Sequence, residues 1–315
     1  MKTKCGKWIV AVGFVFLILL FTACSKNETA GAGEAEIQIT DAPTDDASIK
    51  SVFVTVTAIR VDGMAVSGFA KQTIDLKAYQ DGNIKSLGTT NLTSGVHGQL
   101  TFVLDADTDA DGNSPGSYVQ TTDNTKYKLG SGSVAITVAK AWNIAANVKS
   151  TLVADFDLRK SVQWSSDNAV RYMFVSDGSL QAAVRVVDKM NAGTLSGTYT
   201  EQNSTNADKV IVYVYKKGTF NAGTETQAQG VDAIYFKNAV SSAEVKGLVS
   251  KYYTLAYLEE GDYELHFAAY AKDSTTGRFI LQNMLSAQLS VNGSIADFVT
   301  VSSKATLTVA SSVNL

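Results

Sequence analysis

The densest group of potential ligands is an acidic stretch in the first half of the chain. Its oxygen-bearing residues occupy alternate positions around a glycine: Asp105, Asp107, Asp109, Asp111 and Asn113. Oxygen ligands spaced in this way can converge on a hard cation such as Ca²⁺. The stretch from Asp107 fits the first half of an EF-hand loop, but Tyr118 stands where that loop needs a bidentate glutamate. The sequence predicts either a structural calcium site with a Kd of about 10⁻⁴ to 10⁻³ M or a solvated acidic hairpin loop.

Two further sets of residues could do acid–base chemistry. His97 and His266 are the only histidines, and neither lies in a nucleophile-elbow or zinc motif. Asp155 and Asp157 alternate on a predicted strand and so share one face, as the acids of a glycosidase could. Arg159 follows on the same face, and an ion pair with Asp157 explains the pattern more simply. We therefore assign no catalytic residue and expect no enzyme, with a hydrolase using the paired acids as the third hypothesis.

One short motif predicts a modification. Asp273, Ser274 and Thr275 fit the O-glycosylation motif known in Bacteroidetes, with Ser274 as the acceptor. The motif lies between two predicted strands, so we expect it in an exposed turn.

The N-terminus has the order of an export signal. Three lysines precede an apolar run of 14 residues, 8–21, and small residues lead to Cys24. The run is shorter than the roughly 20 residues of a spanning helix. Residues 20–24 resemble a bacterial lipobox, which implies a signal peptide over 1–23, a lipidated Cys24 and a flexible tether over 24–35. The alternative is an ordinary cleaved signal with an incidental cysteine.

The residues after Cys24 bear on localisation. Ser25 replaces the aspartate that retains lipoproteins in the inner membrane, and residues 25–28 resemble the surface-export signal of Bacteroidetes lipoproteins. We therefore expect an outer-membrane lipoprotein exposed at the cell surface, with the membrane as a partner through its lipid and a protein or glycan as a surface partner. A net charge of −3 gives no basic footprint for nucleic acid. Apart from the predicted structural calcium, no cofactor is expected.

The dominant pattern beyond the tether is alternation with period two, which is typical of half-buried strands. It is clearest over 51–61, where Val52, Val54 and Val56 share one face. About eight such segments precede residue 190. About eight follow it, among them 233–236, 279–283 and 287–291, with one weak helical candidate at Ser241–Ser250. Short strands separated by turn residues predict an all-β fold of two antiparallel Greek-key-type β-sandwich domains, 36–190 and 191–315.

Three segments carry a family resemblance over roughly 36–190. Residues 39–57, 92–104 and 155–162 are similar, in this order, to the signature segments of domain-of-unknown-function family 4382. The chain departs from that pattern at Thr93 and His97, where proline and tyrosine are usual. In the second half, residues 258–265 resemble the Leu-x-x-Gly-x-Tyr turn of carboxypeptidase-regulatory-like, transthyretin-type sandwiches, which implies a fold only.

Together these features favour a non-enzymatic, lipid-anchored cell-envelope protein that serves adhesion, binding or surface assembly. One specific form is a fimbria-like subunit, because Bacteroidetes pilins are also lipoprotein precursors with two transthyretin-like sandwiches. The alternative is a monomeric lipoprotein that binds a glycan or another ligand.

Overall fold

The computed structural model describes residues 31–43 and 46–315. The predicted signal peptide 1–23, Cys24 and most of the predicted tether lie outside the described residues. Strands make up 59% of the structure and helices 8%, which confirms the all-β prediction. Within the described residues, no helix is long and apolar enough to cross a membrane.

The strands of the first half are β1 (Ala32–Ala42), β2 (Ile49–Val61), β3 (Met64–Ala65), β4 (Gln72–Asp75), β5 (Lys85–Thr93), β6 (Gly95–Asp105), β7 (Tyr118–Thr121), β8 (Lys126–Lys128), β9 (Ser133–Ile144), β10 (Lys149–Asp157), β11 (Val162–Trp164), β12 (Tyr172–Phe174) and β13 (Val184–Asp188). Those of the second half are β14 (Ala192–Glu201), β15 (Lys209–Lys216), β16 (Ser241–Glu244), β17 (Lys251–Glu259), β18 (Gly261–Lys272), β19 (Phe279–Val291), β20 (Ser294–Ala296), β21 (Val299–Val301) and β22 (Thr306–Asn314). The short helices are α1 (Leu158–Ser161), α2 (Asp177–Ala182) and α3 (Ala222–Glu225), with 3₁₀ turns at Leu76–Tyr79, Asn168–Val170 and Lys189–Asn191.

The first half contains two main sheets around one core. One has the order β13-β10-β1-β5, and the other has the order β8-β7-β2-β6-β9, with β3 and β4 paired to β2. The predicted inward face of β2 is confirmed, because Val52, Val54 and Val56 are at most 1% exposed. Phe102 of one sheet meets Phe156 of the other edge to face at 5.6 Å. Burial of these apolar faces against each other is the main stabilising contribution to this half.

The N-terminal strand β1 lies in the middle of its sheet. It pairs in parallel with β10, from Glu34 opposite Lys149 to Ala42 opposite Asp157. On its other side it pairs antiparallel with β5. Residues 32–35, predicted as the end of the tether, are therefore the first part of a paired strand, and Ala35 is fully buried.

The second half forms a nine-stranded sheet in the order β16-β15-β18-β19-β22-β14-β17, with β20 and β21 on β19 and β18. Strand β15 is buried on both faces. Val212 and Val214 enter one apolar cluster, whereas Tyr213 and Tyr215 enter a second with Phe236. This second cluster is covered by an irregular segment, residues 217–240, which connects β15 to β16.

Two predicted elements of the second half are wrong. Ser241–Ser250 is not a helix, because its first four residues form β16 and pair antiparallel with β15. Ala233–Phe236 is not a strand, because both end residues have left-handed backbones, with φ of 51° and 49°, which a β-ladder excludes. The strands predicted separately at Phe279–Asn283 and Ala287–Val291 are one continuous strand, β19.

Candidate functional site

The segment that carries the third family signature lies between the two halves of the chain. Strand β10 ends at Asp157, whose extended backbone (φ −81°, ψ 95°) turns the chain into the single turn α1. The hydroxyl of Ser161 donates to the carbonyl of Asp157 over 2.7 Å and closes this turn. All four residues of α1 are buried. The turn therefore directs the charged side chains of Arg159 and Lys160 into the interior.

Both carboxylates weighed as catalytic acids are ion-paired. The Oδ2 atom of Asp157 lies 2.9 Å from Nη2 of Arg159 and 3.3 Å from Nζ of Lys160. The Oδ2 atom of Asp155 lies 2.6 Å from Nη2 of Arg185 on the neighbouring strand β13. The ion pair predicted between Asp157 and Arg159 is confirmed. We call these five residues the junction cluster.

The cations of the junction cluster also bind the second half of the chain. Arg159 donates to the carbonyl of Tyr235, and Lys160 donates to the carbonyl of Ala239 over 2.6 Å. Arg185 donates to the carbonyl of Tyr257. Buried charges are tolerated when they are paired in this way, and among the described residues only a few cluster atoms, such as Oδ1 of Asp157 and Nε of Arg185, have no hydrogen-bond partner. The junction cluster thus joins the two halves through charge-assisted hydrogen bonds.

A third buried carboxylate, Asp41, lies beside the junction cluster. Its Oδ2 atom accepts from Nε2 of Gln80 over 3.1 Å, and its Oδ1 atom has no hydrogen-bond partner among the described residues. Burial raises the pKa of Asp41 well above its usual range, and the charges of Asp155 and Asp157 raise it further. Asp41 and Asp155 line a common space of about 20 Å³, which is roughly the room that one water molecule needs.

A larger cavity adjoins the junction cluster between the edge strands β9 and β13. Its volume is about 430 Å³, and Asp155 and Asp157 are among its lining residues. Each carboxylate there already has a cation within 3.3 Å. This arrangement fixes the charges in place. A glycosidase needs two acids that are free to react, whereas both described carboxylates that line this cavity are ion-paired.

Segment 217–240 supplies the carbonyl groups that Arg159 and Lys160 bind. Glu225, which is 1% exposed, organises the segment by accepting from the Tyr215 hydroxyl over 2.8 Å and from the backbone and side chain of Asn238 over 3.0 and 2.6 Å. The ring of Phe236 stacks on Tyr213 with centroids 3.9 Å apart. Sequence reasoning missed this segment because it has no periodic apolar pattern.

The first carboxylates of the acidic loop are engaged by lysines. Asp105 lies 2.9 Å from Nζ of Lys71, and this hydrogen bond holds the pKa of Asp105 well below its usual range. Asp107 pairs with Lys128, which lowers the pKa of Asp107 in the same way. These contacts tie the loop to β8 and to the residues before β4.

The remaining loop residues form a turn. Asp109 accepts from the backbone N–H groups of Asp111 and Asn113 over 2.9 and 2.7 Å, and the bond from Asn113 is the main cause of the lowered pKa of Asp109. No group of three or more His, Cys, Asp or Glu side chains in the described part of the chain is placed to hold a metal ion. The calcium site stays a prediction.

The other residues singled out in the sequence are dispersed. His97 is buried between the carboxylate of Asp62 at 2.8 Å and the carbonyl of Thr93 at 2.9 Å. His266 alternates with the buried Leu265 and Phe267 of β18, stacks on Phe220 at 3.7 Å and is 26% exposed, and burial lowers its pKa. Ser274 lies exposed in a turn, as predicted, and its glycosylation stays a prediction.

Comparison with known families confirms the N-terminal resemblance. Residues 32–175 match the family model described as domain of unknown function (DUF4382). The match includes α1 and four residues of the junction cluster, and it ends before the fifth, Arg185. The resemblance of the second half to transthyretin-type sandwiches stays a prediction. No curated protein matches the chain.

Several solved structures share weak similarity with the chain. They include a leucine-rich repeat protein from Bacteroides thetaiotaomicron, which is 12% identical with a TM-score of 0.21 over 90% of this chain and 26% of that one. The minor pilin GBS52 of Streptococcus agalactiae is 10% identical with a TM-score of 0.21, covering 89% of this chain and 95% of the pilin. A candidate cell adhesion protein of Bacteroides fragilis is 8% identical with a TM-score of 0.20, covering 89% and 93%. At these scores the similarities carry no argument about this chain.

Proposed function

We propose that the chain is a non-enzymatic, lipid-anchored cell-envelope protein that serves adhesion, binding or surface assembly. The observation that carries the proposal is the junction cluster. The acids of the family signature, which are the best candidates for catalysis, form ion pairs with Arg159, Lys160 and Arg185. Those three cations in turn bond to the second half, so the cluster joins two β-rich halves into one scaffold, which is what a binding or assembly protein needs.

The lipid anchor is the part of this proposal that rests on the sequence alone. Cys24 follows the lipobox-like residues 20–23, and several acyl chains on it would hold the protein firmly to a membrane. Cells expressing the full chain are labelled with an alkyne fatty acid, and the labelled protein is followed through membrane fractionation. We expect label in the outer-membrane fraction and its loss in Cys24→Ser. Unlabelled native protein, or native protein in the soluble fraction, would contradict the anchor.

Surface exposure is tested on the same cells. Intact cells are treated with a protease that cannot enter the periplasm, and the protein is detected by immunoblot. Loss of the full-length band in intact cells supports the surface location. Protection until the outer membrane is opened would place the protein on the periplasmic side.

Assembly and monomeric binding are separated by their behaviour in detergent. A fimbria-like subunit would need a protease to remove its N-terminal strand, and the first arginine is the position considered for that cut. This residue, Arg60, lies inside β2, paired with Thr101 and Ala65. A cut there would divide a paired strand, which favours the monomeric binder. An immunoblot of unboiled outer-membrane fractions should then give a single band near the mature mass. A regular ladder would instead establish a polymer.

A further inference from the structure

Two neighbouring cavities lie beside Arg159, where the halves meet. Their volumes are about 260 and about 230 Å³, and both are lined by Arg159, Tyr235 and Arg278. We call them together the junction pocket. A small organic molecule fits in either cavity, although each is smaller than the roughly 300–1,000 Å³ of a drug-sized site.

The junction pocket has hydrogen-bond donors without acceptors. The guanidinium of Arg278, just before β19, lies over the ring of Trp164 in β11, with Cζ 5.1 Å from the ring centroid. Nε of Arg278 and Nε1 of Trp164 are both buried and have no hydrogen-bond partner among the described residues. A buried donor that lacks an acceptor is costly. Trp164 and Arg278 both line the 230 Å³ cavity, so a ligand bound there lies next to both side chains.

The charge balance of the pocket favours an anion. Arg159 shares the carboxylate of Asp157 with Lys160, at 2.9 and 3.3 Å. The carboxylate of Asp232 accepts from the backbone and hydroxyl of Ser176 over 2.9 and 2.6 Å and lines only the 230 Å³ cavity. No ion pair involves Arg278 within the part of the chain that the structure describes. The 260 Å³ cavity is lined by Arg159 and Arg278 and, among the described residues, by no acid, so the positive charge without an ionic partner that faces it belongs to Arg278.

Much of the remaining lining is apolar, and this favours a ligand with an apolar body. Phe279, Ile280 and Leu281 line one cavity, and Val162 and Val175 line the other. An inorganic anion would leave these walls without contact, whereas a carboxylate on a compact apolar body would cover them. Planar guanidinium groups bind carboxylates with two parallel hydrogen bonds.

We propose that the junction pocket binds the carboxylate of a small organic acid, with Arg278 as its ion-pair partner, Nε1 of Trp164 as a further donor and the apolar walls around its body. The two polar side chains of the site come from different halves of the chain: Trp164 ends β11, and Arg278 immediately precedes β19. A bound acid would bridge the halves next to the junction cluster. This inference names a ligand for the binding role proposed above, and it rests on that proposed function.

The test is calorimetric titration of the purified full chain with phenylacetate and with phenylacetamide, its neutral counterpart. We expect phenylacetate to bind and the amide to bind at least about tenfold more weakly, because only the acid forms charge-assisted hydrogen bonds. Arg278→Gln should lose at least about tenfold in affinity, and Arg278→Lys should lose less because it keeps the charge but not the planar fork. Arg60→Gln, at an exposed position of β2, is the matched control and should bind as the native chain does.

Three results would overturn the proposal: no heat of binding with phenylacetate at millimolar concentration, equal affinity for acid and amide, or unchanged affinity in Arg278→Gln. Trp164→Phe, which keeps an aromatic ring under Arg278 but removes the donor, provides a second variant if Arg278→Gln does not fold. Its affinity should fall, and unchanged affinity would also count against the site. Because the titration uses purified protein, its failure leaves the lipid-labelling and fractionation results intact.

Discussion

Asp41 is a buried carboxylate with no ion pair among the described residues, unlike its neighbours Asp155 and Asp157. It is buried beside the ion-paired Asp155 and Asp157 and close to the partly buried Lys77, and Gln80 donates to its side chain. Its raised pKa means that the folded state holds a proton that the unfolded state releases near pH 4. The contribution of Asp41 to stability is therefore fully present below about pH 4 and is lost as pH rises through the folded-state pKa.

Asp41→Asn should accordingly raise the free energy of unfolding at neutral pH and flatten its decline above pH 4, because the amide never has to ionise. Urea denaturation of both proteins between acid and neutral pH measures the difference. Asp111→Asn removes a carboxylate that is exposed to solvent and should not stabilise the protein. Equal stability of Asp41→Asn and the native chain at neutral pH would show that Asp41 ionises in the folded state without cost.

Residue spacing alone predicted part of the junction cluster. Asp157 ends a predicted strand and Arg159 lies two positions later, which predicted that the two share a face. In the structure Arg159 lies in α1, and the ion pair forms within this one turn. The partners of Arg159 and Lys160 in the second half do not follow from local geometry, because 76 and 79 residues separate them along the chain. They are backbone carbonyls of an irregular segment, and no residue type marks a carbonyl as an acceptor.

Glu225 holds the irregular segment 217–240 in its conformation. Its carboxylate accepts from the backbone N–H of Asn238, while its own carbonyl accepts from the N–H of Phe236. Glu225→Gln replaces one carboxylate oxygen by an amide donor, which faces the donors of Tyr215 or Asn238. We expect faster hydrogen exchange at residues 233–239, measured by mass spectrometry. Glu260→Gln, in an exposed turn, is the control, and equal protection in both variants would contradict this role of Glu225.

At the scale of elements, close approach of a strand to an aromatic ring requires a glycine. A Cβ on Gly197 of β14 would overlap the ring of Tyr253, whose hydroxyl is held by Ser311 at 2.7 Å. Gly197→Ala should therefore lower the free energy of unfolding by about 1–3 kcal/mol, as overpacking does. Gly98→Ala, on β6 with open space around it, is the matched control. Thermal denaturation compares the two, and equal effects would mean that the Tyr253 ring moves aside freely.

Elements with strong alternation were predictable, and elements fixed by distant partners were not. Strand β2 follows from its alternating valines. Strand β16 does not, because its serines become a strand only by pairing with β15. Residues 233–236 have strand-forming side chains, yet Ala233 and Phe236 have positive φ angles. Phe236 is held by Glu225 and Tyr213, and Ala233 donates back to Gly230 in a turn.

At the scale of the whole molecule, the two halves should unfold as one unit. The charges that join them are buried, and removing one partner of a buried ion pair leaves the others without compensation. In Asp157→Asn, both Arg159 and Lys160 lose their carboxylate. The exposed pair of Asp107 and Lys128 provides the contrast, because its side chains are 52% and 39% exposed and such pairs contribute little to stability.

The most direct measurement is differential scanning calorimetry of the native chain, Asp157→Asn and Asp107→Asn. We expect one unfolding transition for the native chain and a loss of about 3–5 kcal/mol for Asp157→Asn, with separate transitions for the two halves, while Asp107→Asn stays close to native. An Asp157→Asn chain that unfolds in one transition at the native temperature would contradict the claim that the junction cluster holds the halves together.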